Sequence, residues 1–181
     1  MNLYVVRHGQ TDWNIIGLIQ GLTDIELNSN GIDQANEVAQ QLKNINFSAI
    51  YTSPLKRTLK TAELINKYHN LNIITDTRVI ERCFGNFEGT NGLQNKFDYW
   101  DYELNLEDNN VESVKRLFKR IKEFLLEIYK LYKDTDSNIL IVTHGGTAIA
   151  INAIINNINS DLFSLGIKNC EVKIFKNIKL D

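Results

Sequence analysis

Two histidines in this chain each stand before a glycine at the end of a short apolar run. His8 follows the run 3–6, and His144 follows the run 139–142. Runs of this length that are rich in Val and Ile and closed by Gly indicate buried strands. If both are parallel strands of one open α/β sheet, both side chains emerge at the carboxyl edge, where such sheets bind ligands. The sequence therefore predicts two imidazoles in one pocket.

Two arginines are expected to share that pocket. Arg7 precedes the first histidine, and its planar fork of donors suits a phosphate or a carboxylate. Arg57 falls in the first turns of a helix expected to begin at Ser53-Pro54, and a helix N-terminus favours an anion. Together with the imidazoles, the arginines predict a cationic site for a phosphoryl dianion.

Each of these residues also has an ordinary structural interpretation. A lone histidine at a strand end is more often a structural hydrogen-bonding group than a catalyst, and Arg57 alone would be a solvated helix residue. A metal site is a poor competitor, because the chain has only three histidines and the third, His69, falls at a polar helix end.

Strand-like and helix-like segments alternate along the chain, which predicts an α/β fold. Besides the two runs already described, strands are expected at 48–52, 72–75 and 171–175. Helices are expected from a cap at Ser29 or Asn30 to about Lys43, from an N-cap at Ser53 with Pro54 as first helical residue to Tyr68, over 112–132, and after Gly146. The segment 85–110 is the least regular.

Composition narrows the classes of partner. The length of 181 residues suits a single domain, and the net charge of −2 without a basic stripe argues against nucleic acid. We see no long apolar segment and no leader at the amino terminus, so no membrane partner is expected. Cys83 and Cys170 lack CxxC spacing and are interpreted as reduced thiols rather than a disulfide. A cytoplasmic location is the resulting expectation.

Several short segments match a known family in order and spacing. They are Arg7 through Asn14, Gln20-Gly21, Ser53 through Thr58, Glu81 through Gly89, Glu112-Ser113, and Thr143 through Gly146. On these motifs the chain resembles the histidine phosphatase superfamily, also called the phosphoglycerate mutase-like family. The resemblance implies one three-layer α/β/α domain over residues 1–181, with a mostly parallel sheet and a short lid at about 86–111. It also implies a phosphomonoester hydrolase that needs neither a metal nor a cofactor.

The resemblance assigns roles to the pocket residues. His8 would be the nucleophile that forms a phosphohistidine, which divides one difficult displacement into two easier ones. Nearby cations should disfavour protonation of its ring. The residues that would hold the phosphoryl oxygens are Arg7, Arg57 and His144, with a neutral hydrogen bond from Asn14 and weaker candidates in Gln20, Gly21 and Gly145. For Gln20 and Gly21, a role in shaping the loop is an equal alternative.

Glu81 matches the proton donor of the family. It would protonate the leaving oxygen and later take a proton from the attacking water, which requires a carboxyl group that stays partly protonated. Burial beside a phosphate dianion acts in that direction. The alternative is a surface carboxylate paired with Arg82 or a lysine.

The chain departs from the family pattern in two places that bear on the substrate. Leu18 stands where many members have Arg, and 109–111 replace the Pro and Gly-Gly that often precede Glu-Ser. Charges between Gly85 and Glu112 are mostly negative: Glu88, Asp98, Asp101, Glu103, Glu107 and Asp108 against Lys96. A short acidic lid predicts a small phosphate monoester with a neutral or cationic leaving group, and leaves Arg82 alone to serve a substrate carboxylate.

The sequence thus ranks three functions. Hydrolysis of a phosphomonoester comes first, and mutase-type phosphoryl transfer comes second, since a mutase needs further cations and an inserted segment that excludes water. A non-catalytic phosphate-binding domain comes third, because the candidate chemical residues are all present. The aromatic run 97–102 is expected either to stack a substrate ring or to pack the lid onto the core.

Overall fold

A five-stranded sheet forms the centre of the computed structural model, which describes residues 1–92, 99–103 and 109–180. The strands are β1 (Asn2–Arg7), β2 (Phe47–Thr52), β3 (Ile73–Thr75), β4 (Asn138–Thr143) and β5 (Val172–Phe175). The helices are α1 (Asp12–Ile15), α2 (Ser29–Leu42), α3 (Lys56–Asn66), α4 (Val114–Tyr132) and α5 (Gly145–Asn156). Short 3₁₀ turns occur at Thr77–Val79, Gly85–Phe87 and Leu162–Leu165.

The topology brings the two histidine-bearing strands together. The strand order is β3-β2-β4-β1-β5, with β1 to β4 parallel and β5 antiparallel to β1. Arg7 lies opposite Thr143 in the register of β1 and β4. His8 and His144 therefore leave neighbouring strands at the same edge, as the prediction of a mostly parallel α/β sheet requires.

Helices cover both faces of the sheet, which confirms the three-layer α/β/α prediction. Alternate strand residues point to opposite faces, so Leu3 and Val5 pack with α4 and α5, while Tyr4 and Val6 pack with α2 and α3. The buried stripe of α4 recurs at helical spacing and consists of Val114, Leu117, Ile121, Phe124, Leu125 and Ile128.

Two helix starts differ from the predictions. The cap of α2 is Asn28, whose side-chain oxygen accepts from the amide of Gly31 at 2.8 Å, rather than Ser29 or Asn30. Helix α3 begins at Lys56 and not at Pro54. The buried Ser53 hydroxyl accepts from the amide of Leu55 at 3.3 Å and also contacts the side chain of His144, which follows β4, while the position before the helix is Leu55.

The described residues bear on three further expectations, which concern membrane-spanning helices, the two cysteines and the lid. None of the helices in the described ranges has the length and apolar character that a membrane crossing demands. Cys83 and Cys170 are free thiols, and burial raises the pKa of Cys170 to about 12. Much of the expected lid, including Phe97 and the acidic positions 98, 107 and 108, lies outside the described residues.

Candidate active site

A cavity of about 550 Å³ opens at the carboxyl edge of β1 and β4. Nearly all the site residues expected from the sequence line it: Arg7, His8, Asn14, Gln20, Gly21, Arg57, Glu81 and Gly145. His144 is fully buried and lies behind this lining. The folded chain thus brings the predicted set together from five separate segments of sequence.

The ring of His8 is held in one tautomer by its own backbone. Its Nδ1 lies 2.7 Å from the carbonyl oxygen of Gly9. A carbonyl only accepts, so Nδ1 carries the hydrogen and Nε2 of the neutral ring keeps its lone pair. Burial, reinforced by the charges of Arg7 and Arg57, holds the pKa of His8 well below its ordinary value. The ring is therefore an unprotonated imidazole at the floor of the cavity.

Close backbone packing fixes the loop that carries this ring. A β-carbon on Gly9 would lie 2.3 Å from the carbonyl oxygen of Gly31, so only glycine fits. The amide of Gly9 donates to Oγ1 of Thr61 at 3.1 Å, and that hydroxyl donates to the carbonyl of Arg57 at 2.8 Å. Helix α3 therefore positions both the histidine loop and the buried arginine.

Arg57 is fully buried, and three acceptors hold its guanidinium. Its Nη1 donates to the carbonyl of Thr23 at 2.8 Å and its Nη2 to the carbonyl of Gly21 at 2.7 Å. Its Nε donates to Nδ1 of His144 at 3.2 Å. Burial lowers the pKa of Arg57, and the nearby carboxylate of Glu81 partly opposes that effect. The cation is fixed in direction before any ligand arrives.

His144 contacts Arg57 rather than the open cavity. Because a guanidinium only donates, Nδ1 of His144 accepts from it, and Nε2 carries the hydrogen that it donates to Oγ of Ser53 at 2.8 Å. Burial and then the charge of Arg57 hold the pKa of His144 well below its ordinary value. Both ring nitrogens are thus engaged within the protein. Sequence reasoning missed Ser53 as the group that orients this ring and interpreted it only as a helix cap.

Arg7 lines the cavity and has one buried donor without a partner among the described residues. Its Nη1 donates to the carbonyl of Ile167 at 2.9 Å, whereas its Nε is buried without a hydrogen-bond partner among the described residues. Burial lowers the pKa of Arg7, again opposed by Glu81. A buried donor without a partner is costly, which makes Arg7 a candidate for binding an anion in the cavity.

Glu81 lies at the N-terminus of α5, where backbone amides hold its carboxylate. Gly146 donates to Oε2 and Thr147 to Oε1, both at 3.1 Å, and the amide of Arg82 donates to Oε1 at 2.9 Å. A β-carbon on Gly146 would lie 2.7 Å from Oε1, so glycine makes room for the carboxylate. The alternative of a surface carboxylate paired with Arg82 or a lysine is wrong.

The expectation that Arg82 remains free for a substrate carboxylate is also wrong. Its side chain is 1 % exposed and does not line the cavity. Its Nε donates to the carbonyl of Glu112 at 2.7 Å, and its Nη1 donates to the carbonyl of Tyr99. The guanidinium also lies over the rings of Phe84 and Trp100. Arg82 ties the segment around residue 100 to the start of α4.

Glu88 organises the loop that supplies the acceptors for Arg57. Its carboxylate accepts from the amides of Leu22 at 3.0 Å, Thr23 at 2.9 Å and Phe84 at 3.1 Å, and from the hydroxyl of Thr23 at 2.6 Å. Gly21 has φ +52°, and a β-carbon there would lie 2.0 Å from Oε1 of Glu88. Gly21 therefore both shapes this loop and lines the cavity.

The acidic lid does not face the cavity in the part of the chain that the structure describes. Glu88 points into the loop just described, Glu103 pairs with Lys115 at 3.1 Å, and Asp101 is exposed and accepts from the amide of Glu103. Among the described acidic residues, only Glu81 lines the cavity. The other three acidic positions, 98, 107 and 108, lie outside the described residues, so the neutral or cationic leaving group stays a prediction.

Replacing Glu88 with glutamine is expected to lower kcat/KM for an aryl phosphate by about 100-fold, the scale of a misplaced catalytic group. Because Leu22 and Thr23 donate to different oxygens of Glu88, the NH2 group of glutamine would face one of these two amides donor to donor, and the loop would release the carbonyls that hold Arg57. Steady-state kinetics of the variant measures the effect. Glu103→Gln makes the same change at an exposed position and should leave kcat/KM unchanged; equal losses in the two variants would contradict this role.

The segment over residues 166–170, which we call the strap, closes one side of the cavity. The carbonyl of Ile167 holds Arg7, and the amide of Cys170 donates to the carbonyl of Arg7 at 2.9 Å. Nδ2 of Asn169 donates to the carbonyl of His8 at 2.9 Å and to Oδ1 of Asn14 at 3.3 Å. Nothing in the local sequence signals this role, because the partners lie about 160 residues earlier in the chain.

The comparisons with known proteins agree with this geometry. The family model described as "Histidine phosphatase superfamily (branch 1)" matches residues 3–178. The chain belongs to the histidine phosphatase superfamily. This confirms the recognition made from the motifs, and the structural relatives confirm the fold.

Among the similar members of the superfamily is the "Uncharacterized phosphatase PhoE" of Bacillus subtilis, 37 % identical over 155 residues, which cover 86 % of this chain and 76 % of that protein. "Phosphoglycerate mutase-like protein 4" of Arabidopsis thaliana is 36 % identical over 154 residues, 80 % of this chain and 66 % of that protein. A solved structure of a mutant phosphoserine phosphatase from Entamoeba histolytica, in complex with phosphoserine, superimposes with a TM-score of 0.83 at 32 % identity and covers 96 % of this chain and 89 % of that one.

The arrangement suits phosphoryl transfer. Two guanidinium groups can neutralise a phosphoryl dianion, a neutral imidazole with a free lone pair can attack it, and a carboxyl group lies on the same cavity wall. Within the described ranges, no three His, Cys, Asp or Glu side chains cluster as a metal site would require.

Proposed function

We propose that this member of the histidine phosphatase superfamily hydrolyses a small phosphorylated metabolite through a phosphohistidine on His8, with Glu81 as proton donor. The observation that carries the proposal is the hydrogen bond between Nδ1 of His8 and the carbonyl of Gly9, which leaves Nε2 as the nucleophilic atom. Family membership supports a phosphatase-type hydrolase, and the names of the relatives support a small phosphorylated substrate.

In the first step, the phosphoryl group binds between Arg7 and Arg57, where Nε of Arg7 gains its missing partner. The Nε2 lone pair forms a bond to phosphorus while the bond to the leaving-group oxygen breaks. The proton of Glu81 passes to that oxygen, so the product leaves as an alcohol rather than an alkoxide. The arginines stabilise the charge on the transferring group.

In the second step, water attacks the phosphorus of the phosphohistidine. Glu81, now ionised, takes a proton from the water, and the bond between phosphorus and Nε2 breaks. The electron pair returns to the ring of His8 as its lone pair. Inorganic phosphate leaves, and the resting enzyme is restored without a cofactor or a metal in any step.

The other site residues support the phosphoryl group from the wall of the cavity. Asn14 would donate a neutral hydrogen bond, and the backbone at Gly145 would lie beside the group at the N-terminus of α5, where an anion is favoured. Gln20 has a buried amide oxygen without a partner in the described structure, which would accept from a donor on the leaving group. His144 would act chiefly by holding Arg57 in place.

Mutase-type transfer is the second candidate, and the similarity to a phosphoglycerate mutase-like protein supports it. A mutase must retain a second strongly anionic group, yet Arg82, the candidate from the sequence for that purpose, is buried and engaged. Supplying 3-phosphoglycerate and separating the products decides between them. We expect phosphate release to exceed isomer interconversion, and the reverse ranking would make the enzyme a mutase.

A generic assay tests the proposed function itself and the third alternative, a non-catalytic phosphate-binding domain. The chain is incubated with an aryl phosphate and a panel of metabolite monophosphates in the presence of a chelator. Phosphate release is expected without added metal. A chain that binds phosphate but is inert over the whole panel would be a binding domain instead.

Replacing Glu81 with glutamine is expected to slow hydrolysis of alkyl phosphates by about 100-fold or more, the usual contribution of general acid catalysis. Hydrolysis of 4-nitrophenyl phosphate should suffer less, because a good leaving group needs less protonation. Single-turnover rates for both ester classes measure the difference. Glu123→Gln, on the exposed face of α4, serves as the control, and equal losses on both classes would argue against Glu81 as the acid.

A further inference from the structure

Lys168 is a charged group at the cavity wall that the proposed reaction leaves unused. It lies on the strap, one residue beyond the carbonyl of Ile167 that holds Arg7. Its ammonium group has no hydrogen-bond or ion-pair partner among the described residues. The adjacent carboxylate of Glu171 accepts from the backbone amide of Lys168 at 2.8 Å instead.

The charges around the cavity leave this ammonium unbalanced. Arg7 and Arg57 together match a phosphoryl dianion, and Glu81 carries a proton in the step that expels the leaving group. Lys168 is then the one further cation in the lining formed by the described residues. An unpaired lysine beside a bound ligand attracts a negative group. We therefore expect the preferred leaving group to carry one negative charge of its own.

The strap anchors the backbone at Lys168. Asn169 and Cys170 bind the backbone of β1 and its following loop directly after it, and Ile167 binds Arg7 directly before it. The backbone at Lys168 is therefore anchored on both sides to the residues that hold the phosphoryl group. Its side chain is exposed and flexible, so the ammonium group can reach a leaving group at the mouth of the cavity.

Apart from Asn14, Gln20 and the charged and imidazole groups already described, the larger side chains that line the cavity are apolar. Its walls include Phe84, Trp100, Ile149, Phe163 and Ile167, and Phe163 is largely exposed at the rim. An apolar wall with a single cation suits a monoanion better than a second phosphate, which is usually bound by several donors in a forked arrangement.

We infer that Lys168 forms a carboxylate subsite, so that the preferred substrates are phosphate monoesters whose leaving group carries a carboxylate. The inference rests on the proposed function for the placement of the phosphoryl group. It differs from the expectation of a neutral or cationic leaving group. Of the six lid acids behind that expectation, Glu88, Asp101 and Glu103 do not line the cavity, and positions 98, 107 and 108 lie outside the described residues.

Two esters that differ by one carboxylate test the inference: O-phosphoserine and O-phosphoethanolamine. Binding is measured by calorimetry in the His8→Ala background, where turnover is blocked, and hydrolysis is measured separately in the unmodified chain. We expect O-phosphoserine to bind about tenfold more tightly, as for one charge-assisted hydrogen bond in a partly exposed site. Lys168→Ala should remove most of that preference and leave O-phosphoethanolamine unchanged.

Lys173→Ala is the matched control, since it removes the same charge from an exposed position on β5 outside the cavity lining. It should keep the preference. Equal binding of the two esters by the parent, or a preference that survives Lys168→Ala, overturns the inference. Hydrolysis without discrimination would refute the subsite alone, whereas discrimination in binding without any phosphate release would refute the proposed function alone.

Discussion

The His8→Ala variant is expected to release phosphate from an aryl phosphate at least about 10⁴-fold more slowly than the unmodified chain, the scale on which loss of a catalytic nucleophile acts. The hydrogen bond from Nδ1 to Gly9 and the buried, cationic surroundings both favour the neutral ring with a lone pair on Nε2. Alanine removes the atom that forms the bond to phosphorus. Initial rates over a range of substrate concentrations, in the presence of a chelator, give the comparison.

The same experiment locates the covalent intermediate. We expect rapid mixing with substrate, followed by an alkaline quench and peptide mass spectrometry, to find phosphate on His8 and not on His144, whose ring nitrogens are both engaged by Arg57 and Ser53. His69→Ala, which removes the third histidine, is the control and should keep both activity and label. Activity unchanged by His8→Ala, or label on another residue, would refute the phosphohistidine mechanism.

Arg57→Ala is expected to damage stability and catalysis together. Its removal leaves the carbonyls of Gly21 and Thr23 and Nδ1 of His144 without their donor in a buried region, at a cost of about 3 kcal/mol of unfolding free energy. Loss of a cation from the phosphoryl group should lower kcat by about 10³-fold. Urea unfolding gives the first quantity, and kinetics well below the thermal transition give the second.

Two further variants separate these effects. Arg57→Lys keeps the charge but cannot fill three acceptors, so a large part of both losses should remain. Arg116→Ala makes the alanine change on the exposed face of α4 and should alter neither quantity. Since Arg57 lowers the pKa of His8, its removal should raise that pKa, which histidine NMR titration can follow. Full activity of a folded Arg57→Ala protein would exclude Arg57 from the phosphoryl site.

Local sequence patterns predicted the parts of the fold that depend on neighbouring residues. Apolar runs ended by glycine located β1 and β4, and helical spacing located α4, because burial of one face imposes a period on the sequence. The order and spacing of the motifs identified the family and predicted which residues line the cavity. The parallel pairing of β1 and β4 agrees with the usual topology of open α/β sheets.

Local patterns failed where a side chain meets a distant partner. Ser53 has the sequence context of a helix cap, yet α3 begins at Lys56, and the Ser53 hydroxyl also accepts from His144, 91 residues away. Glu88 counted as one of the lid acids, although its carboxylate gathers the amides of a loop 65 residues earlier. A pattern within a few residues carries no information on such contacts, because the fold alone decides which acceptors and donors meet.

The sequence by itself determined the layered α/β fold, the family and the identity of the cavity residues, since strand and helix periodicity and short motifs are local properties. The tertiary structure decided the role of each of these residues. It fixed the tautomers of His8 and His144 through Gly9, Arg57 and Ser53, withdrew Arg82 into the interior, and placed Lys168 at the mouth through the strap. The physical reason is that buried polar groups must find partners, and those partners lie far away in the chain.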